Sequence, residues 1–304
     1  MKTIWTALLL LCHGSLAHAA EPSRAADAAG LKIYILADME GVVGVVTADQ
    51  LGPDGFEYAS AREFMTAEVN AAIEAAYAAG ASEIVVSDSH GNGQNLLIEK
   101  LPKTVTVVRS WPRPLMMMEG IDSSFDGVIF IGYHTGSHNP AGVRAHTLSS
   151  AELADVRANG AAMSEGSINA AIAGHFGVPV IMVSGDDQVV AETRSYLGDV
   201  EGAVVKWALS FHSARTLTPE RANEVIRTSV GRALARISEF KPYTLKAPVR
   251  LDVRFKNYRP SEMLAYLPII ERTDSHSIRY TAKDMIEASK FLVFLGEYSP
   301  SLTP

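Results

Sequence analysis

The segment YILADMEGVVGVV, residues 34–46, begins as an apolar run typical of a buried strand and ends in glycines and valines. Between the two parts stand Asp38 and Glu40, which are two positions apart, so that on an extended chain their side chains point to the same side. Two carboxylates placed in this way repel each other unless a cation or a shared proton lies between them. The segment therefore predicts either a cation site at a strand end, or a helix cap followed by a solvated acid.

Apolar runs typical of strands alternate with stretches of helical periodicity along the rest of the chain. The predicted strands cover residues 31–36, 83–88, 105–110, 126–134, 178–187, 203–207 and 249–255. The predicted helices cover residues 60–80, 162–173, 218–237 and 282–296. This alternation predicts a three-layer α/β fold, in which helices cover both faces of a largely parallel sheet. Such sheets bind ligands beyond the carboxyl ends of their strands, so we expect a metal site there.

Polar residues follow other predicted strands as directly as Asp38 follows the first. They are His90 in SDSHGNG, His134 and His138 in GYHTGSHNP, and Asp186 and Asp187 in SGDD. Each histidine alone is better explained by a turn, a helix cap or a core hydrogen bond than by metal binding. Together with Asp38 and Glu40, His90 and His134 supply the nitrogen and oxygen ligands that a cysteine-free transition-metal site needs.

Two further residues are candidates for the same site. Glu165 lies at the start of a predicted helix, where it is either a fifth metal ligand or an acid that stabilises the helix dipole. His146 follows His134 by twelve positions and is either a catalytic acid or base, or a surface histidine. His138 ranks lower because it stands beside Asn139-Pro140 in a predicted turn. Asp186 and Asp187 are expected to orient ligands or to cap the next helix rather than to bind metal.

The N-terminal residues predict export. Lys2, an apolar run and the small residues Ala17-His18-Ala19 form the pattern of a cleaved signal peptide over residues 1–19, so we expect a periplasmic or secreted protein. The apolar run is shorter than the roughly 20 residues that span a membrane, and no later segment reaches that length, so no stable membrane insertion is expected. Residues 20–30 are predicted to be a disordered leader, and residues 31–304 to form one domain or two intimate subdomains.

Composition excludes several kinds of site and partner. The only cysteine, Cys12, lies in the predicted signal peptide, so the mature chain has no disulfide, no thiolate nucleophile and no cysteine-based zinc site. The formal net charge of -7 argues against nucleic acid as a partner.

Six motifs, in this order and spacing, resemble those of the D-aminopeptidase family, the DppA-type zinc metallopeptidases. They are DMEG at 38–41, SDSHG at 87–91, GYH at 132–134, the segments around His146 and Glu165, and VPVIMVSGDD at 178–187. The resemblance extends from about Leu31 to about Leu295 and implies that the fold binds two zinc ions per chain. The zinc ligands that it implies are Asp38, Glu40, His90, His134 and Glu165. It also implies that His146 is the catalytic residue, and that the chain forms a ring-like homo-oligomer.

The function implied by this resemblance is a binuclear zinc aminopeptidase that hydrolyses N-terminal D-amino acids, such as D-Ala, from short peptides by metal-activated water. A metal-dependent amidohydrolase acting on a non-peptide amide would keep the same ligands and differ in its pocket. A periplasmic peptide-binding protein would not require such a ligand set at strand ends. The sequence leaves open the preferred side chains, the D or L selectivity, and whether His146 acts as acid, base or nucleophile.

Overall fold

The computed structural model describes Met1 and residues 30–298 of the chain. The signal peptide and leader predicted over residues 1–30 therefore lie outside the described residues, apart from Met1 and Gly30. Residues 299–304, the end of the predicted domain, also lie outside them. Within the described part of the chain, no helix has both the length and the apolar character needed to cross a membrane.

Residues 30–298 form strands and helices in a largely alternating order. The strands are β1 (Leu31–Ala37), β2 (Ala81–Asp88), β3 (Thr106–Val108), β4 (Gly127–Tyr133), β5 (Leu153–Ala158), β6 (Ala161–Ala162), β7 (Val180–Asp186), β8 (Glu201–Ser210), β9 (Ser213–Thr216), β10 (Val249–Phe255), β11 (Ile270–Arg272) and β12 (Ser277–Ala282). The α-helices are α1 (Tyr58–Ala78), α2 (Glu165–His175), α3 (Asp187–Leu197), α4 (Pro219–Ala235), α5 (Tyr258–Leu264) and α6 (Met285–Glu297).

A seven-stranded sheet in the order β3-β2-β1-β4-β7-β8-β9 forms the centre of the protein. Neighbouring strands from β3 to β8 are parallel, and only the edge strand β9 runs antiparallel, in a hairpin with β8. Strands β4 and β7 are buried along their whole length, as expected for parallel strands with helices on both faces. The predicted largely parallel sheet is thus confirmed.

The residues of β1 alternate between two hydrophobic cores, because successive side chains of a strand point to opposite faces of the sheet. Ile33, Ile35 and Ala37 pack in the core that α1 and α4 cover. Tyr34 and Leu36 pack in the opposite core, which contains residues of α2, α3 and α6. The helices on both faces confirm the predicted three-layer arrangement.

A second sheet, five-stranded and antiparallel in the order β11-β12-β10-β5-β6, extends the core on the α2 and α6 side. The sequence predicted only one of its strands, the one over 249–255 that is now β10. The helix predicted over 282–296 begins instead at Met285, because Ser277–Ala282 belongs to β12 and Asp284 caps the helix. The other strands were missed because they are short and alternate between buried and exposed residues, which leaves no apolar run.

Candidate metal centre

The carboxyl ends of β1, β2 and β4 lie side by side, because β1 pairs in parallel with both of the other strands. Asp38 follows β1 directly, His134 follows β4 directly, and His90 comes two residues after the end of β2. Glu165 is the first residue of α2, and His146 lies in the segment between β4 and β5. The fold therefore brings together all six residues that the sequence predicted for the site.

Asp38, Glu40 and His90 form a first cluster, in which one potential ligand atom from each residue lies within 4.8 Å of the others. His90 Nδ1 is 3.3 Å from Asp38 Oδ1 and 2.9 Å from Glu40 Oε2. All three side chains are buried. Glu40 and Asp38 thus do point the same way, and an imidazole nitrogen faces them both.

His134, His146 and Glu165 form a second cluster of the same kind, also within 4.8 Å. Glu165 Oε1 is 3.4 Å from His134 Nε2 and 3.5 Å from His146 Nε2. The other oxygen of Asp38, Oδ2, lies 3.4 Å from His134 Nε2. Asp38 therefore presents one oxygen to each cluster and lies between them.

Each histidine of the two clusters has its remaining ring nitrogen bound to a backbone carbonyl. His90 Nε2 lies 2.8 Å from the Leu51 oxygen, and His134 Nδ1 lies 2.9 Å from the Thr135 oxygen. His146 Nδ1 lies 2.8 Å from the Arg144 oxygen. Because a carbonyl only accepts hydrogen bonds, these nitrogens carry protons, and in a neutral ring the opposite nitrogen directs its lone pair toward the clusters. This arrangement is the one found around metal-binding histidines.

Several buried atoms of the clusters are without a hydrogen-bond partner among the described residues. They are Asp38 Oδ2, Glu40 Oε2 and His134 Nε2. Buried polar atoms without partners are costly, and these three are potential ligand atoms of the two clusters. Cations bound at the clusters would satisfy them, and carboxylate and imidazole ligands without cysteine suit zinc. The residues present therefore fit zinc.

The pKa values of the clusters also indicate a demand for positive charge. Burial and the neighbouring Glu40 raise the pKa of Asp38 to about 7. Burial alone would lower the pKa of His134, but the combined effects of Glu165, Asp38 and Glu40 outweigh it and raise that pKa to about 10. Without a metal, His134 thus takes up a proton that balances the acids, and metal binding would release that proton.

His146 differs from the other two histidines of the clusters. Burial lowers its pKa, and the nearby charge of His134 acts in the same direction. Its ring stacks on that of His134 with 4.2 Å between the centroids, and its side chain is 16% exposed, against 1% for His134. His146 is therefore a neutral imidazole at the edge of the site that faces the solvent.

The clusters lie beside a cavity of about 460 Å³, and every predicted site residue except His134 lines it. Its walls are mixed: Trp111, Met116, Leu148 and Leu292 supply apolar surface, while Glu152 and Glu297 add acidic groups. A second cavity, of about 760 Å³, shares Ala151, Glu152 and Leu295 with the first but contains none of the predicted site residues. The smaller cavity is therefore the one suited to chemistry.

The lower-ranked polar residues are placed outside the clusters. His138 Nε2 lies 3.6 Å from Glu192 Oε2, away from both clusters. Asp186 caps α3 by accepting the Val189 N–H, and its other oxygen accepts the Val143 N–H, which anchors the segment that carries His146. Asp187 accepts the Ala208 N–H. Asp186 thus caps the next helix, which was one of the two expectations for these acids, and both acids anchor neighbouring backbone.

Two buried charged residues near the site were missed by the sequence analysis. Lys206, in β8, donates hydrogen bonds to the carbonyls of Glu40, Val42 and Val45. Glu68, in α1, accepts the Val43 N–H at 2.9 Å. The sequence does contain a signal for both, because each places an ionisable residue at a core position. Lys206 stands within an apolar strand, and Glu68 stands on the buried side of a helix.

Comparisons with known proteins identify relatives of the chain. The family model described as D-aminopeptidase matches residues 31–294. The chain is 32% identical over 271 residues to a D-aminopeptidase of Bacillus subtilis (strain 168), covering 88% of this chain and 97% of the relative. Its fold is similar to the solved structure of a Zn-dependent D-aminopeptidase from Bacillus subtilis, DppA, described as a self-compartmentalizing protease. The TM-score is 0.84 at 30% identity, covering 90% of this chain and 100% of the other.

Proposed function

The chain belongs to the D-aminopeptidase family and is therefore a peptidase, and from that premise we propose that it is a binuclear zinc aminopeptidase. Its substrates are short peptides from which it removes an N-terminal D-amino acid, such as D-Ala. The observation that carries this proposal is the position of Asp38, whose two oxygens face separate clusters 3.3 Å from His90 and 3.4 Å from His134. The relative with a solved structure is described as zinc-dependent.

Asp38, Glu40 and His90 would hold one zinc ion, and Asp38, His134 and Glu165 the other. When bound, the two ions lower the pKa of a water molecule and polarise the peptide carbonyl. The chain's own residues fix the ligands, since each ring is oriented by a backbone carbonyl and Glu165 Oε1 accepts the Leu148 N–H at 2.8 Å.

His146 is the residue that we assign to proton transfer. It is neutral, its Nδ1–H is held by the Arg144 carbonyl, and its Nε2 lone pair points toward Glu165 at the cavity. An imidazole in this state would accept a proton at Nε2 from the attacking water and deliver it to the nitrogen of the leaving amine. We favour this acid–base role over a nucleophilic one because the lone pair faces the clusters.

The first experiment measures the zinc content of the purified mature protein and its hydrolysis of D-Ala-D-Ala and L-Ala-L-Ala. We expect about two zinc ions per chain, D-selective cleavage, and loss of cleavage on treatment with a chelator. Bound zinc without cleavage of either dipeptide would favour an amidohydrolase acting on a non-peptide amide. Peptide binding without zinc or turnover would favour a peptide-binding protein and overturn the proposal.

We further propose that copies of the chain assemble into a ring-like homo-oligomer. Four large apolar side chains on α5 and just after it are more than half exposed, and such patches are typical of interfaces between proteins. They are Tyr258, Met263, Tyr266 and Ile269. The Bacillus subtilis relative is described as self-compartmentalizing. Sedimentation velocity would test this, and a chain that stays monomeric at micromolar concentration would contradict it.

The signal-peptide pattern over residues 1–19 supports export, and we propose that the mature enzyme acts in the periplasm or outside the cell. There it would meet D-amino-acid peptides directly. Cell fractionation with N-terminal sequencing tests this, with a mature chain starting at Ala20 as the expected result. Full-length protein found with the cytoplasmic fraction would contradict it.

A further inference from the structure

Lys206 is a buried cation that the proposed chemistry does not use. It lies in β8, its residue is 0% exposed, and its ammonium group donates to three carbonyl oxygens, those of Glu40, Val42 and Val45. All three acceptors belong to residues 40–46, the segment that follows β1 and carries Glu40. A lysine has three N–H donors, so this one segment satisfies all of them.

Glu68 contacts the same segment from α1. Its Oε1 accepts the Val43 N–H at 2.9 Å, and the residue is 0% exposed. Residues 40–46 are thus held by a cation through their carbonyls and by an acid through an N–H. A buried ionisable group costs more than an apolar side chain of similar size, so packing alone does not explain why a lysine and a glutamate occupy these core positions.

The strand β4 holds the segment on its other side. The Gly41 N–H donates to the Gly132 oxygen at 2.7 Å, and a Cβ on Gly41 would lie only 2.0 Å from the Tyr133 oxygen. Residues 40–46 therefore lie between the backbone of β4 and the two charged side chains. This fixes the backbone from which the Glu40 side chain reaches the first cluster.

We propose that Lys206 and Glu68 are positioning residues that hold Glu40 in place for the zinc ion of the first cluster, an inference that rests on the proposed two-zinc function. Asp38 and Glu40 repel each other until a metal binds, so the segment must resist their separation. A site that is held in its binding geometry in advance binds its metal more tightly.

The effect is specific to the first cluster. His134, His146 and Glu165 come from the end of β4, the following segment and α2, and among the described residues neither Lys206 nor Glu68 makes a hydrogen bond to them. Loss of either positioning residue should therefore lower the affinity for one zinc ion and leave the affinity for the other unchanged. A residue needed only for general stability would not separate the two ions.

The test measures the affinity of both zinc ions in the mature chain by competition with a chromophoric chelator. In Lys206→Met, we expect one zinc ion to bind about 10–100-fold more weakly and the other to bind within about twofold of the parent, as for the loss of residues that support metal ligands. Lys100→Met, at a half-exposed surface lysine, is the matched control. The melting temperature of each metal-free variant shows whether it folds.

Glu68 provides a second, independent pair of variants. Glu68→Gln keeps an oxygen that accepts the Val43 N–H and should retain both zinc affinities. Glu68→Leu should bind the zinc ion of the first cluster more weakly than the parent does. Glu63→Leu, at a half-exposed position on the same helix, is the control. This pair decides the question if Lys206→Met does not fold.

Unchanged affinities for both zinc ions in folded Lys206→Met, or in Glu68→Leu, would overturn the inference. An equal fall in the affinities for both zinc ions would also overturn it, because it would show a general loss of stability and no specific support of the first cluster. A parent protein that binds fewer than two zinc ions would contradict the proposed function itself, so the two failures are distinguishable.

Discussion

The two clusters of the metal centre use similar side chains but differ in how the fold supports them. The first takes Asp38 and Glu40 from a segment held between β4, Lys206 and Glu68, and none of its side chains is more than 8% exposed. The second includes His146, which lies in the long segment between β4 and β5 and is 16% exposed. A closed cluster suits holding a metal, while an open one suits contact with substrate.

Asp38 presents one oxygen to each cluster, so its replacement should disrupt both clusters at once. We expect Asp38→Ala to lose binding of both zinc ions and to reduce turnover to the uncatalysed level, because a bridging carboxylate is removed. Zinc analysis and dipeptide hydrolysis measure the two effects. Asp54→Ala, at an exposed acid, is the control. Two zinc ions retained in Asp38→Ala would show that Asp38 does not bridge.

His146→Ala should separate the clusters by function. We expect both zinc ions to remain and kcat to fall about 10²–10⁴-fold, the usual contribution of a general acid or base. His212→Ala, at an exposed histidine, should leave both unchanged. Loss of one zinc ion in His146→Ala would make His146 a metal ligand, and the distinction between a holding and an acting cluster would then have to be withdrawn.

Glu68, which holds the segment that carries Glu40, makes a pH-dependent contribution to the stability of the folded chain. Burial raises its pKa to about 7, above the value of about 4.3 expected in the unfolded chain. The folded state therefore favours the protonated acid, and this contribution is fully present below about pH 4.3 and lost as the pH rises through about 7. Each unit of pKa difference corresponds to about 1.4 kcal/mol, so the loss is on the order of a few kcal/mol.

The variant Glu68→Gln does not ionise and should escape this loss. In the presence of chelator, we expect the melting temperature of the parent to fall relative to that of Glu68→Gln between pH 5 and pH 7. Glu63→Gln, on the same helix, should follow the parent. Parallel curves for the parent and Glu68→Gln over this range would show that Glu68 does not titrate with a raised pKa.

The smallest effect is expected at Asp186, which supports the second cluster indirectly. In Asp186→Asn, one of the two N–H groups of Val189 and Val143 faces an amide NH₂ instead of an oxygen. We expect a loss of about 1 kcal/mol in the free energy of unfolding and a modest fall in kcat, with zinc affinity at the first cluster unchanged. Chemical denaturation measures the first effect and steady-state kinetics the second. Weaker zinc binding at the first cluster would contradict the claim that Asp186 supports only the second cluster.

The central sheet was predictable because its strands leave long apolar runs, such as residues 126–134 and 178–187. Strands of the second sheet such as Ala161–Ala162 and Ile270–Arg272 are only two and three residues long and partly exposed. Whether such segments form strands depends on the neighbouring strands with which they pair, and not on their own sequence. The clustering of Asp38, His90 and His134 followed from a general rule about strand ends. His146 and Glu165 were candidates with structural alternatives, and the family resemblance implied their roles in the site.

Lys206 and Glu68 were not predictable in the same way. Lys206 bonds the carbonyl of Glu40 across 166 positions of sequence, and Glu68 bonds the Val43 N–H across 25. A charge at a core position signals that some partner exists, but only the folded chain shows which backbone groups satisfy it.

The three histidines of the centre are oriented by the backbone oxygens of Leu51, Thr135 and Arg144 rather than by side chains. A carbonyl oxygen is the same in every amino acid, so no substitution at these three positions removes the acceptor itself. The orientation of the imidazoles is therefore buffered against point mutation. Leu51 also lines the cavity, so its side chain can be replaced to reshape the cavity wall while the His90 ring keeps its acceptor.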